Sequence, residues 1–432
     1  MIEGTSTTEL RPARKPHGDR RWRTSSVLLL IITLAGLGYR LALVAQINHA
    51  SPDNVSRLSG DEPGYDGIAM ELLHGEFFKW PFRVPVYPTF VAAVYVCFGH
   101  SPAAVIVVQA LLSACIIPLT YWLGSYVAGR TAALIGAGFV AVNYEMAFQS
   151  TRIYSEVVFT VLLLLMVLTF YHAQRHPTAK RFTLSGVLLG LMNLCRPTGL
   201  LLPVALAAAL PSRWPFFRRA RLIAVLTLAM ALCIAPWTLH NYRRFHTFLP
   251  LAVSTGVLWQ GSPEFYHETQ KGKTLLDVWQ TNLNPRVNGG HSAHTIDGDQ
   301  WFNERAKQSI KAEPVLWMVY CLKKAAYVWI GNPAIDWPYV YFDSYTWGRS
   351  LGILSSRIIA AIGFLSLIVL ASEKALRRYW PMLAIMAYFT VIHAITFAEA
   401  RYGYPLHPFL AIMTGAAVVS VLRRPDRVDA AE

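Results

Sequence analysis

Residues 103–126 read AAVIVVQALLSACIIPLTYWLGSY, and this stretch contains no charged side chain. A helix of this length crosses the hydrocarbon core of a bilayer, which is about 30 Å thick. Long apolar runs recur along the chain, among them residues 27–47, 157–172, 222–239 and 351–372. Apolar and polar residues do not alternate within these runs, and this excludes a membrane β-barrel. The sequence therefore predicts an all-α polytopic membrane protein.

The composition of the whole chain agrees with this prediction. Of the 432 residues, 54% are hydrophobic and only 15% are charged, whereas soluble domains carry about 25% charged residues. The formal net charge of +14 would suggest a nucleic-acid partner in a soluble protein. Here the basic residues crowd the short loops between apolar runs, as the positive-inside bias requires. We therefore expect the lipid bilayer, and not nucleic acid, as the partner of this charge.

The basic loops determine the predicted topology. Residues 172–181, 213–221, 374–378 and 423–427 are basic, as is the stretch Arg11 to Arg23 before the first apolar run. Placing all of them in the cytoplasm gives about ten transmembrane helices. The intervening segments then lie at the outer face of the inner (plasma) membrane. The number of crossings between two basic loops is fixed only as odd or even, so the topology leaves open which of the segments within 86–98 and 103–148 fully span the bilayer.

In this topology residues 314–331 do not fit as a crossing. They contain Lys323 and Lys324, so we expect an amphipathic helix at the outer interface. The whole chain then divides into five regions. The regions are a cytoplasmic basic tail (1–26), an N-terminal transmembrane module (27–241) with an external loop (48–85), an external cap with the interfacial helix (242–350), C-terminal transmembrane helices (351–422) and a cytoplasmic tail (423–432).

Many ionisable residues lie near the predicted outer ends of the spans. Such residues are costly beside apolar runs and commonly functional. A transporter places them near the midplane on broken helices, whereas clustering at one face favours chemistry at the outer leaflet. A transporter or flippase of lipid-linked glycans and a non-catalytic scaffold remain the alternatives. The residues concerned are Asp61, Glu62, Asp66, Arg83, Glu145, Arg152, Glu156, Arg196, His240, Arg243, Glu399 and Arg401.

Two short motifs give more specific expectations. The sequence SGDEPGYD at residues 59–66 predicts a helix start with Glu62 as cap and Pro63 at the first helical position. A carboxylate in this position can also activate a hydroxyl group. Arg196 lies between two apolar runs and requires an anionic partner, which is Glu145, Glu156 or a bound phosphate.

Metal and nucleotide sites have little support in the sequence. The loop HSAHTIDGD at residues 291–299 has a spacing that could bind a cation, but it lacks the pattern of a zinc site. The chain contains no nucleotide-binding glycine-rich loop, and its five cysteines are scattered through apolar stretches. We expect no metal and no cofactor.

The order of motifs along the chain resembles that of the integral-membrane GT-C glycosyltransferases. The branch it resembles is the protein O-mannosyltransferase and lipid A aminoarabinose transferase type. The matching motifs are Asp61-Glu62 after the first span, Arg83-x-Pro-x-Tyr-Pro, Glu156 at the start of a span, Arg196-Pro197, Pro236-Trp237-x-x-x-Asn241-Tyr242 and Glu399-x-Arg401-Tyr402-x-x-Pro405-x-x-Pro408.

This resemblance implies a donor, a reaction and roles for individual residues. The donor is a polyprenyl-phosphate sugar, and the acceptor is a hydroxyl group of a glycan, lipid or protein. Asp61 is the implied general base, and Glu62 positions the acceptor or supports the base. Arg401 and Tyr402 form the implied donor-phosphate clamp. Further candidates are Arg83 and Arg196 for the phosphate, and Tyr65, Glu156, His240 and Asn241 for substrate.

The chemistry of the donor agrees with these roles. Polyprenyl phosphate is an anionic leaving group, so arginines can stabilise it without a proton or a metal ion. One carboxylate base is sufficient for a direct displacement with inversion, whereas retaining glycosidases need two carboxylates. All of this requires that Asp61 and Arg401 meet in one cavity at the non-cytoplasmic boundary of the bilayer.

Overall fold

The computed structural model describes residues 18–50, 58–271, 277–278, 281, 290–331 and 346–423. Most of the predicted terminal tails (1–17 and 424–432) and part of the first loop (51–57) lie outside these residues. Ten helices form the first half of the described chain. They are α1 (Gly18–Ala50), α2 (Glu62–Leu73), α3 (Val86–Phe98), α4 (Pro102–Val127), α5 (Arg130–Val142), α6 (Tyr144–Gln149), α7 (Glu156–Arg175), α8 (Ala179–Cys195), α9 (Leu202–Ala208) and α10 (Phe216–Phe245).

The second half of the described chain is also helical, and no strand occurs among the described residues. The all-α prediction is therefore confirmed. The further helices are α11 (Val257–Gln260), α12 (Pro263–Gln270), α13 (Ile296–Ala312), α14 (Pro314–Ile330), α15 (Thr346–Ser372), α16 (Trp380–Ile395) and α17 (His407–Leu422), with 3-10 turns at Leu376–Tyr379, Ala400–Tyr402 and Tyr404–Leu406.

Six segments of the described chain are long and apolar enough to cross a membrane. The protein is therefore a multi-pass membrane protein. Two shorter apolar helices, α3 and α5, add to this set. The six segments are Thr24–Gln46, α4, α7, α10, Ser350–Ser372 and Ala400–Leu422.

Several of the about ten predicted spans form helices with fewer than the about 20 residues that a full crossing needs. The apolar run at residues 131–148 is divided between α5 and α6, because Asn143 adopts an extended backbone and its side chain accepts the N–H of Met146. The run at residues 198–211 forms only α9, which has 7 residues. Helices α8 and α16 have 17 and 16 residues.

Glycines allow the central helices to pack closely. A Cβ atom added at Gly136 in α5 would lie 2.9 Å from the carbonyl oxygen of Ala411 in α17, and one at Gly415 in α17 would lie 2.1 Å from that of Ala132. Small residues at helix contacts let backbones approach, and in membranes this packing drives helix association. The α5–α17 contact therefore places the C-terminal helix against the N-terminal module.

Arg40 is a fully buried arginine within the first span. It donates hydrogen bonds to Ser113 Oγ (2.8 Å) and to the carbonyl oxygens of Gly36 (2.9 Å), Val140 and Ala141 (both 3.3 Å). The last two carbonyls belong to the final turn of α5, where intrahelical partners run out. Arg40 therefore joins α1 to the end of α5 through neutral acceptors.

Helices α11 to α14, named here the cap helices, have a small core of their own. Trp259, Phe265, Phe302 and Ala306 are buried together with Phe397, which follows α16. The ring of Phe265 meets that of Phe397 edge to face at 6.2 Å. This core fixes the cap helices to residues 396–402, although the external position of the cap remains a prediction.

Lys324 of α14 joins the cap helices to the end of α16. Its side chain is buried, with 1% exposure, and Nζ donates to the carbonyl oxygens of Gly261 and Thr396, each at 2.8 Å. Among the described residues, no carboxylate is bonded to this ammonium group, and burial lowers the pKa of Lys324 to about 7. A substantial fraction of this lysine is therefore neutral in the folded protein near pH 7.

We expect stability to rise with pH above 7 because of Lys324. Its ordinary pKa is 10.5, so between pH 7 and 10 the unfolded chain binds more protons and stability increases by at most about 1.4 kcal/mol per pH unit. Thermal unfolding in detergent at pH 7, 8 and 9 measures this slope. Lys324→Met should flatten it, whereas Lys323→Met, which removes an exposed lysine bonded to Tyr266, should preserve it. Equal slopes in the two variants would contradict the assignment.

Candidate active site

Asp61 lies at the N-cap position of α2 and contacts two arginines from distant parts of the chain. Its Oδ1 accepts a hydrogen bond from Arg83 Nη2 at 2.7 Å, and its Oδ2 accepts one from Arg401 Nη1 at 2.8 Å. Gly60 allows the preceding turn, since its φ is +64° and an added Cβ would lie 2.5 Å from the hydroxyl of Tyr154. The structure thus brings together Asp61 and Arg401, as the sequence predicts.

Arg401 links Asp61 to two further carboxylates. Its Nη1 lies 3.9 Å from Glu156 Oε1, and its Nε lies 2.5 Å from Glu399 Oε2. Glu156 begins α7, and its Oε1 accepts a hydrogen bond from Arg196 Nη1 at 2.6 Å. Of the two carboxylates that the sequence offers as partners for Arg196, the structure therefore selects Glu156 over Glu145.

These side chains form one chain of alternating charges, named here the arginine–carboxylate cluster. Three arginines and three carboxylates give it no formal net charge. An incoming phosphate must therefore compete with carboxylate oxygens for the same guanidinium groups. The members of the cluster are Asp61, Glu156, Glu399, Arg83, Arg196 and Arg401.

Tyrosine rings fix the planes of the guanidinium groups. The Cζ atom of Arg83 lies 4.5 Å from the ring centroid of Tyr65, and that of Arg196 lies 4.5 Å from the ring of Tyr402. Such cation–π contacts contribute roughly 0.5–2 kcal/mol each, most where water is excluded. Tyr65 and Tyr402 therefore belong to the surroundings of the cluster and hold its arginines in fixed orientations.

The arginines also set the protonation state of Asp61. Burial opposes its ionisation, but the Arg401 and Arg83 guanidinium groups outweigh burial and hold the pKa of this carboxyl well below its usual range. A carboxylate with such a low pKa is a weak base. Asp61 becomes a better proton acceptor when one of its two arginines is drawn to another anion.

Part of the sequence matches a known family. Residues 81–240 match the family model described as dolichyl-phosphate-mannose-protein mannosyltransferase. This range includes Arg83, Glu156 and Arg196, whereas Asp61 and Arg401 lie outside it. Comparison with curated protein sequences gives no match.

Solved structures resemble the chain over almost its whole length. Oligosaccharyltransferase AglB from Archaeoglobus fulgidus, in complex with an inhibitory peptide and a dolichol-phosphate, has a TM-score of 0.56 and 16% identity, covering 96% of this chain and 52% of that chain. The apo form of the Archaeoglobus fulgidus oligosaccharyltransferase has a TM-score of 0.57 and 16% identity, covering 94% and 51%. The chain has the GT-C fold.

The chain spans about half the length of the oligosaccharyltransferase that it matches. ArnT from Cupriavidus metallidurans bound to undecaprenyl phosphate has a TM-score of 0.42 and 14% identity, covering 91% of this chain and 77% of that chain.

Glu62 faces away from the arginine–carboxylate cluster. Its Oε1 accepts the N–H of Ile153 at 2.9 Å, and its Oε2 accepts the N–H of Ser59 at 3.0 Å and pairs with Arg152 Nη2 at 2.9 Å. The predicted cap position is therefore one residue too late, because Asp61 occupies the N-cap and Glu62 starts α2. Glu62 positions the start of α2, and with it Asp61, against residues 150–154.

His240 and Asn241 lie outside the cluster. Asn241 Nδ2 donates to the carbonyl oxygens of Leu249 and Leu251, both at 2.9 Å. The ring of His240 stacks on Trp237 with 5.1 Å between centroids. No hydrogen bond or ring contact among the described residues joins either side chain to the cluster, and their roles in substrate binding stay predictions.

Two polar residues beside the cluster were not expected from the sequence. A cavity of about 10 Å³, the size of one water molecule, lies next to Arg196 and Tyr402 and is lined by Thr198 and His393. His393 stacks on Tyr402 with 4.5 Å between centroids. A histidine within the apolar run at residues 380–398 is itself a signal of function in a membrane protein, and it could have identified His393.

The side chains of the loop at residues 291–299 have partners other than a metal ion. Asp299 accepts hydrogen bonds from Ser254 Oγ (2.6 Å) and the N–H of Gly256 (3.2 Å). The ring of His291 stacks on Trp301 at 5.0 Å, and that of His294 contacts Phe82 at 4.6 Å in a tilted arrangement. Within the described part of the chain, no group of three or more His, Cys, Asp or Glu side chains could hold a metal ion.

Proposed function

We propose that the protein is a glycosyltransferase that moves a sugar from a polyprenyl-phosphate donor to a hydroxyl acceptor at the outer, periplasmic face of the inner membrane. The observation that carries the proposal is the Asp61 carboxylate between the Arg83 and Arg401 guanidinium groups. The partial match to a dolichyl-phosphate-mannose-protein mannosyltransferase family and the GT-C fold support it. The dolichol-phosphate in the matched oligosaccharyltransferase structure supports a lipid-linked donor.

Donor binding uses the arginines of the cluster. The phosphodiester of the donor is an anion, and the guanidinium fork of arginine matches phosphate oxygens. The donor phosphate competes with Asp61 and Glu156 for Arg401. Arg196 and the Tyr402 ring lie beside Arg401 and Glu156, where this phosphate would bind. The arginines then stabilise the polyprenyl phosphate that leaves, because negative charge develops on its oxygen as the bond to the sugar breaks.

Acceptor activation follows from donor binding. Once the donor phosphate draws Arg401 away, Asp61 keeps only Arg83 and becomes a stronger base. The acceptor oxygen forms a bond to the anomeric carbon, its proton passes to Asp61, and the electron pair of the broken bond leaves with polyprenyl phosphate. A single displacement of this kind inverts the configuration at the anomeric carbon.

The other predicted residues support this step in different ways. Glu62 positions Asp61 through its contacts with Ser59 and Ile153. Tyr65 orients Arg83. His240 and Asn241 are proposed to contact substrate at a distance from the reacting atoms, a role independent of the cluster.

Transfer and its stereochemistry test this function together. Purified protein in nanodiscs is given labelled polyprenyl-phosphate hexoses or pentoses and membrane extracts that contain acceptors. We expect one polyprenyl phosphate released per sugar transferred, and a product with inverted anomeric configuration. Retained configuration would contradict the single displacement. Movement of labelled donor lipid across the bilayer without release of polyprenyl phosphate would favour the flippase alternative.

A further inference from the structure

An open pocket lies at the C-terminal end of α10, outside the arginine–carboxylate cluster. Its volume is about 400 Å³, and Pro236, Leu239, His240, Arg243 and Arg244 line it. The pocket is therefore formed by the last turns of a single membrane-crossing helix and the space beside them.

The pocket contains cationic groups that have no protein partner. The side chains of Arg243 and Arg244 are exposed and make no hydrogen bond or ion pair with any residue that the structure describes. The Nε2 atom of His240 is buried and also lacks a hydrogen-bond partner. By contrast, Arg83 and Arg401 in the cluster are both paired with carboxylates. The pocket can therefore accept an anion without displacing an existing ion pair.

Two general effects explain only part of this arrangement. Cations are favourable near the C-terminus of a helix because of its dipole, and long basic side chains extend towards the edge of a bilayer. Neither effect supplies hydrogen-bond acceptors to Arg243, Arg244 and His240. The predicted topology also places these residues at the outer face, where the positive-inside bias disfavours basic residues.

The surface of α10 that leads to the pocket is apolar. Leu228, Leu232 and Leu239 are 60%, 64% and 47% exposed. Together with Arg243 they are spaced by four, seven and four residues, which places all four side chains on one face of the helix. An acyl chain that lies along these leucines brings its headgroup to Arg243.

Aromatic rings mark the level of this pocket in the bilayer. Tyr242 and Phe77 are more than half exposed, and the ring of Phe77 contacts that of His240 edge to face at 5.0 Å. Exposed aromatic residues at the end of a membrane helix are typical of the interface between headgroups and acyl chains. The pocket therefore lies where lipid phosphates lie.

We propose that this pocket binds the phosphate headgroup of an anionic phospholipid from the bilayer. The phosphate accepts hydrogen bonds from Arg243 and Arg244, while an acyl chain covers Leu239, Leu232 and Leu228. This site is separate from the donor-phosphate site, and the inference does not depend on sugar transfer.

Lipid competition measured by native mass spectrometry tests the proposal. Purified protein is titrated with phosphatidylglycerol and phosphatidylcholine that have identical acyl chains. We expect the wild type to prefer phosphatidylglycerol by about tenfold or more, a difference that two charge-assisted phosphate contacts can supply. The double variant Arg243→Gln/Arg244→Gln should lose this preference. The matched control is Arg213→Gln/Arg221→Gln, which removes the same charge near the opposite end of α10 and should keep it.

Two outcomes would overturn the proposal. One is equal preference for phosphatidylglycerol in the Arg243/Arg244 double variant and the wild type, with both proteins folded by thermal unfolding. The other is displacement of phosphatidylglycerol by equimolar inorganic phosphate, because the pocket would then be a site for free anions and not for lipid.

Discussion

Replacement of Asp61 by asparagine is expected to reduce sugar transfer by about 10²- to 10⁴-fold, the contribution of a positioned general base. Asparagine has the same shape and can still accept hydrogen bonds, so the surrounding structure is largely kept. It cannot take the acceptor proton, however, and it carries no charge to hold the two arginines. The measurement is the rate of transfer from a labelled polyprenyl-phosphate sugar at saturating donor concentration.

The same variant should retain donor binding. Arg83 and Arg401 lose their shared carboxylate in Asp61→Asn, so the donor phosphate no longer competes with it, and the donor Kd should be equal to or lower than that of the wild type. Glu76→Gln is the matched control, because it removes an exposed carboxylate paired only with Lys79, and it should transfer sugar normally. Transfer by Asp61→Asn at the wild-type rate would show that another group is the base.

Replacement of Arg401, unlike that of Asp61, is expected to weaken donor binding. Arg401→Gln should raise the donor Kd by about 100-fold, since loss of one partner from a buried charge pair costs roughly 2–5 kcal/mol. It also leaves Asp61 and Glu399 without this guanidinium, so stability should fall by up to about 3–5 kcal/mol. Binding of polyprenyl phosphate and thermal unfolding in the same detergent measure the two effects.

A second substitution at position 401 separates donor binding from folding. Arg401→Lys keeps the positive charge, and we expect it to fold, but its ammonium cannot offer two parallel hydrogen bonds to phosphate. The donor Kd should therefore rise by about tenfold, the equivalent of roughly 1.4 kcal/mol. Arg152→Lys is the control, because Arg152 pairs with Glu62 outside the cluster. Equal losses in the two lysine variants would contradict a specific role of Arg401 in phosphate binding.

The meeting of Asp61 with Arg401 could be predicted because it depends on topology. Each residue lies next to the end of an apolar run, and the basic loops predict the same membrane face for both ends. Sequence order and charge cannot give the distances, however. They also could not choose between Asp61 and Glu62, since adjacent residues at a helix start point in different directions and only the fold decides which one faces the arginines.

Other features of the fold and the site depend on contacts that have no sequence signature. The pairing of Arg196 with Glu156 and not Glu145 requires the packing of α7 against α8. The interruption of the predicted run at residues 131–148 arises from one side-chain cap at Asn143. The ion pair between Arg401 and Glu399 involves residues of one short motif, yet the sequence assigned Glu399 no role.

The buried arginine of the first helix has a consequence for biosynthesis. Arg40 finds its carbonyl acceptors at Val140 and Ala141, about 100 residues later in the chain. An arginine at the centre of an isolated helix raises the cost of leaving the translocon by about 2.5–3.5 kcal/mol. Arg40 lies in the second half of an otherwise strongly apolar span, so α1 can enter lipid before the rest of the chain is made, at a cost of at most this size, and the cost is relieved when α5 is made and offers its carbonyl groups to Arg40.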